Sequence, residues 1–158
     1  MPKQVPCLWY DTQAEEAAHL YVSLFPNSTI DGVTRYAPGS PGEPGTVMTV
    51  NYTLDGQEYC NLNGGPIFTF TEAVSIQIFT ADQEETDRYW DGLLAGGGQE
   101  SQCGWLKDRF GMSWQVIPVD LPGLIGDPDP ERARRATAAM MKMQKIDIAE
   151  LRRAADEG

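Results

Sequence analysis

The chain has 158 residues, 41% of them hydrophobic and 22% charged, which suits a soluble globular domain with a real core. Its net charge of −11 counts against nucleic acid or an anionic membrane surface as a partner. No apolar run approaches the roughly 20 residues of a membrane span. The N-terminal MPKQVPCLWYD has no signal-peptide architecture, and the three distant cysteines, Cys7, Cys60 and Cys103, fit free thiols in a reducing cytoplasm better than disulfides or a zinc site.

In chain order, a strand is expected over residues 4–10. A helix follows, capped by Thr12 with Glu15 three residues on as a capping box. Ala14, Ala17, Ala18, Tyr21, Leu24 and Phe25 form its buried stripe, and Pro26 ends it. Residues 28–36 read as a strand and the Pro/Gly-rich residues 37–45 as a loop. Residues 46–54 alternate, with Met48, Val50, Tyr52 and Leu54 on one face. Asp55-Gly56 is a strong hairpin signal. A two-residue turn sets Leu54 opposite Gln57, Tyr52 opposite Tyr59, Val50 opposite Asn61 and Met48 opposite Asn63.

The plan then repeats. A β-branched strand at 74–80 leads to a helix capped by Asp82 and stopped at Gly96-Gly97-Gly98. Strands at 99–106 and 113–119 flank the turn KDRFGM. Beyond Pro122 the character is helical: Asp129 caps a segment opened by Pro130, with Ala133, Ala136, Met140 and Met143 on one side. Asp147 with Glu150 starts a last short helix. Sliding the sequence by 69 positions lays Glu15 on Glu84, Glu16 on Glu85, Tyr21 on Trp90 and Leu24 on Leu93. The expected fold is α+β: two βαβββ units (about 1–66 and 67–120) in one pseudo-two-fold domain (1–120), with a C-terminal helical extension over 121–158.

Two such units, with YVSLFPNS, LDGQ, NGGP, CGWLKDRFGMSWQVIP and MKMQKIDIAEL, resemble the vicinal-oxygen-chelate superfamily of glyoxalases, extradiol dioxygenases and antibiotic-resistance proteins. Within it the chain is most similar to the PhnB-like group, some of which carry a demethylubiquinone methyltransferase label. The resemblance implies paired units curled into a cup that holds a divalent metal on His and Glu side chains. Carried over, those positions fall near Pro6, at Ser75, at Asn61 or Asn63, and at Gln115, none of them a strong metal ligand. The resemblance also implies a homodimer, to which the methionine-bearing C-terminal helices offer an apolar face.

Alternation puts Ser75, Gln77, Phe79, Ser113, Gln115 and Ile117 inward, and Tyr52, Tyr59, Asn61 and Asn63 on one hairpin face. That surface of amides and hydroxyls among aromatics suits a small, partly apolar ligand held by orienting hydrogen bonds. The alternative is that these side chains fill the cup and satisfy one another. Trp105 is a candidate for the cup mouth or the core, and Trp114 for the core. His19, the only histidine, lies mid-helix beside Glu15 and Glu16, where a structural role outweighs ligation. The NGGP and GGG glycines are not a phosphate loop, which counts against a nucleotide-like cofactor and the methyltransferase label. The leading expectation is a cytoplasmic, metal-independent small-molecule-binding protein without a cofactor. Its rivals are a metal-dependent lyase, isomerase or dioxygenase and, behind it, a methyltransferase.

Overall fold

A computed structural model describes residues 2–157. The chain forms two compact units, divided between Phe70 and Thr71. The first runs β1 (Cys7–Tyr10), α1 (Ala14–Leu24), β2 (Thr29–Arg35), β3 (Val47–Leu54) and β4 (Gln57–Asn63). The second runs β5 (Ser75–Thr80), α2 (Gln83–Leu94), β6 (Gln99–Glu100), β7 (Trp105–Lys107) and β8 (Ser113–Pro118). Three helices follow: α3 (Leu121–Ile125), α4 (Pro130–Met140) and α5 (Ile148–Asp156).

Each unit holds one four-stranded sheet, ordered β1-β4-β3-β2 and β5-β8-β7-β6. In each, the first strand pairs in parallel with the last, while the other pairs are antiparallel. The repeated βαβββ topology is therefore present. The hairpin register is as expected from Leu54↔Gln57 to Val50↔Asn61, and Asp55 and Gly56 both take positive φ, as the tight turn requires. Pairing stops at Thr49↔Leu62, so Met48 and Asn63 do not face one another in the ladder.

Helix starts divide into two kinds. Asp82, Asp129 and Asp147 cap α2, α4 and α5, each accepting a backbone N–H of the first turn. The expected Thr12 cap of α1 is absent: the N-cap is Gln13, with no side-chain cap bond of its own. The strand expected over 99–106 is also broken in two. Cys103 and Gly104 take positive φ there and donate their N–H groups to Met143 and Gln144 carbonyls. A side chain at 104 would come within 2.8 Å of the Val116 carbonyl, so glycine is required.

The first core packs Leu8, Tyr10, Val50 and Tyr52 of the sheet against Ala14, Ala17, Ala18 and Tyr21 of α1. The second packs Ile78, Leu106, Trp114 and Val116 against Tyr89, Trp90 and Leu93 of α2. The extension adds a cluster of Leu121, Ile146 and Leu151, against which Ile117, Met140 and Met143 pack. Gln83 in the first turn of α2 bonds both the Ile146 carbonyl and the Ile148 N–H, tying the extension to its own unit.

Candidate binding site

On β5, Ile78 and Thr80 are buried, and the Thr80 hydroxyl bonds Thr86 of α2 at 2.6 Å. The intervening Ser75, Gln77 and Phe79 therefore lie on the face away from α2. On β8 the same alternation buries Trp114 and Val116 and turns Gln115 to that open face. The ladder then sets Ser75 beside Ser113, Gln77 beside Gln115, and Gln115 beside Trp105. Gln115 Nε2 donates to Ser75 Oγ at 2.8 Å, and its Oε1 accepts a long 3.4 Å contact from Gln77 Nε2. The relay leaves a second amide N–H on Gln115, and the Gln77 carbonyl oxygen, available to a ligand. Beside it the buried Ser113 hydroxyl has no hydrogen-bond partner among the described residues. Trp105 is half-buried and Phe79 is 55% exposed, so the relay sits among aromatic surface. Ile117 packs instead on the C-terminal cluster.

The hairpin residues are placed differently. Tyr52, Tyr59, Asn61 and Asn63 share a face, as alternation requires, but it is the face that α1 covers. Asn61 is fully buried: its Oδ1 accepts from Tyr52 Oη at 2.8 Å and its Nδ2 donates to the Ala14 carbonyl at 3.1 Å. Asn63 Oδ1 accepts the Ala14 N–H at 2.8 Å, and its Nδ2 donates to the Val47 carbonyl at 3.1 Å. The two asparagines thus hold both ends of residue 14, and Asn63 supplies the cap that Gln13 lacks. Tyr59 stacks on Tyr52 with ring centroids 5.5 Å apart. Burial pushes both phenols above their ordinary pKa, so they stay neutral. The expectation that this face lines an open cup is corrected. The signal was present in Val50 and Leu54, whose apolar side chains mark the same face as core.

A cleft not foreseen from sequence lies at the strand ends of the first unit. It measures about 680 Å³ and is walled by Asp11, Glu15, Arg35, Tyr36, Glu43 and Asn63. The 37–45 loop roofs it because its base is fastened: Tyr36 N–H to Thr46 O, Gly45 N–H to Tyr36 O, and the Tyr36 hydroxyl to Asn63 O. The NGGP segment forms its floor. Trp9 Nε1 donates to Gly65 O at 2.9 Å, and a side chain at Gly64 would strike the Trp9 ring. The Pro and Gly content of the loop was legible, but its fold-back was not.

The KDRFG turn is built on Asp108. One carboxylate oxygen accepts the Phe110 and Met112 N–H groups, and the other accepts Trp114 Nε1 at 2.9 Å. Trp114 is thereby core, and Asp108 shapes the turn. His19 is exposed on α1.

A family model described as 3-demethylubiquinone-9 3-methyltransferase matches residues 2–117. The chain belongs to that family. A putative 3-demethylubiquinone-9 3-methyltransferase, the PhnB protein of Bacillus cereus, is 33% identical over 75% of this chain and 100% of its own, with a TM-score of 0.68. Protein PA1353 of Pseudomonas aeruginosa shares the fold at 19% identity, covering 75% and 98%, with a TM-score of 0.61. The genomically encoded fosfomycin resistance protein of Listeria monocytogenes shares it at 14%, covering 75% and 93%, with a TM-score of 0.50. No curated protein matches the chain significantly. Helices α3 to α5 begin beyond the matched span.

The divalent metal that the vicinal-oxygen-chelate resemblance implies does not fit the residues found at the carried-over positions. Ser75 and Gln115 engage one another, and Asn61 and Asn63 are committed to α1 on the covered face of the first sheet. Among the described residues no group of three or more His, Cys, Asp or Glu side chains could hold a metal ion.

Proposed function

We propose that this PhnB-like protein binds a small, partly apolar molecule on the open face of its second sheet, without a divalent ion at the superfamily's metal positions. The observation that carries this reading is the Ser75–Gln115–Gln77 relay, half-satisfied, half-exposed and flanked by Trp105 and Phe79. Its free amide groups can orient a carbonyl or hydroxyl of the ligand, while the rings supply apolar contact. No member of the relay changes protonation near neutral pH, so the arrangement favours binding over proton transfer. The ligand-binding set is Ser75, Gln77, Trp105 and Gln115. Tyr52, Tyr59, Asn61 and Asn63 support the fold. Met141, 61% exposed beyond the C-terminal cluster, supports the further proposal of a homodimer, and the free thiols fit a cytoplasmic setting.

The test is mass spectrometry of small molecules that co-purify with the protein, with Gln115→Leu as comparator. A discrete compound retained by the wild type and lost from Gln115→Leu is expected. Losing one orienting hydrogen bond costs about 0.5–1.5 kcal/mol, a several-fold loss of affinity. Stoichiometric zinc, iron or manganese with chelator-sensitive activity would replace this reading with the metal-dependent enzyme. Saturable binding of S-adenosylmethionine would replace it with the methyltransferase. A monomer in sedimentation at micromolar concentration would remove the homodimer.

A further inference from the structure

Cys7 opens β1, Cys60 lies within β4, and the parallel ladder sets them side by side in register. Their neighbours in that ladder, Leu8 and Asn61, are buried beneath α1, so both thiols point to the opposite, open face of the first sheet. Cys7 is exposed, Cys60 is half-buried, and neither is in a disulfide. Burial first, and then the adjacent Cys7 thiol, push the Cys60 thiol up to about 11.

The spacing between them is that of the ladder. Cys60 N–H donates to Pro6 O at 3.0 Å, which fastens the start of β1 to β4. Neighbouring strands lie about 4.7–4.9 Å apart, and in-register side chains on one face leave the sheet roughly parallel. A disulfide needs Cβ atoms about 3.5–4.5 Å apart, somewhat closer than side chains leaving neighbouring strands in parallel. Two bonds of about the zinc–thiolate length of 2.3 Å, laid end to end, span about 4.6 Å, close to the undisturbed spacing. Thiolate donors select soft ions such as Cu(I), which accepts two ligands in a line.

We propose that Cys7 and Cys60 form a two-thiolate site for monovalent copper on the open face of the first sheet. Binding makes two Cu–S bonds and releases one proton from each thiol, with no change in oxidation state. The site uses none of the superfamily's metal positions and none of the residues assigned above to the small-molecule face. The structure also supplies an internal control: Cys103 Sγ lies 3.8 Å from Met141 Sδ in the second unit, a pair of equally soft donors in a less regular setting.

The full chain, reduced and kept free of oxygen, is titrated with Cu(I) against bicinchoninate as a coloured competitor. One Cu(I) per chain should be withdrawn from the competitor, and X-ray absorption should find two sulfur neighbours. Cys7→Ser should lower the affinity about 100-fold or more, since it removes one of two ligands. Cys7 is exposed at a strand start, so this variant keeps its fold, which circular dichroism verifies. Cys60→Ser should match it, while Cys103→Ser and Met141→Leu should bind as the wild type does. Copper that survives Cys7→Ser, that departs with Cys103→Ser, or that the wild type fails to take from the competitor would overturn the site.

Discussion

The two βαβββ units share one strand order but fasten their helices by different means. In the second, Asp82, the residue just before α2, caps its first turn, and the core beneath is dominated by Trp90 and Trp114. In the first, α1 has no local cap, and asparagines from β4 reach across to grip it. The lesson concerns what an amide is for. Asn61 and Asn63 on the covered face are structural, whereas Gln77 and Gln115 on an open face keep hydrogen-bonding capacity to spare. Residue type is similar, and the face decides the role.

The contrast breaks most sharply at Asn61. Asn61→Leu strands the buried Tyr52 hydroxyl, at about 1–3 kcal/mol, and removes the second hydrogen bond of the Ala14 carbonyl, worth about 0.5–1.5 kcal/mol. A loss of roughly 1.5–4.5 kcal/mol is expected from the urea midpoint, against less than about 1 kcal/mol for Gln115→Leu. Equal losses at the two sites would erase the distinction between covered and open faces. Next comes capping. Asn63→Ala and Asp82→Ala should each cost about 1 kcal/mol, whereas Thr12→Ala should cost less than about 0.5 kcal/mol because Thr12 caps nothing. Thermal melts of the three variants check this, and a costly Thr12→Ala would restore the local cap.

The smallest expected effect lies on the open face of the first sheet. Asp31 accepts hydrogen bonds from Thr29 and Thr53, which hold its carboxyl below the usual carboxylate range. A depressed folded-state pKa gives stability that is present above the unfolded value of about 3.9 and is lost as pH falls through the folded value. Asp31→Asn should therefore remove a small part of the stability at about pH 5 to 7, flatten the acid limb below about pH 4, and leave stability at the lowest pH unchanged. Urea midpoints at pH 5 and pH 2.5 measure the difference. An acid limb of unchanged slope would assign the loss to other carboxylates.

Much of this architecture can be read from local chemistry. Asp55-Gly56 carries its own turn geometry, and Asp82, Asp129 and Asp147 sit where an N-cap must be. The β5 and β8 alternation places Ser75, Gln77 and Gln115 on one face, where the structure brings them together. Features that could not be read depend on distant partners. Thr12 looks like a cap because nothing nearby reveals that Asn63, 49 residues from Ala14, already occupies that N–H. Residues 99–106 read as one strand because the carbonyls that break it belong to Met143 and Gln144. The hairpin face is hard to read for another reason. Its polar side chains suggest solvent, but they bury by satisfying α1 and one another.

The grip of β4 on residue 14 also sets an order of events during synthesis. Chains emerge at about 5–20 residues per second. The nearly fifty residues between Ala14 and Asn63 therefore take roughly 2–10 s to follow. Until they do, α1 lacks both its cap and the strand that holds its first carbonyl, while α2 is born with its capping aspartate already attached. The nascent first unit thus spends seconds with an uncapped, apolar-striped helix in the open. A chaperone or protease acting during translation would meet this protein there first.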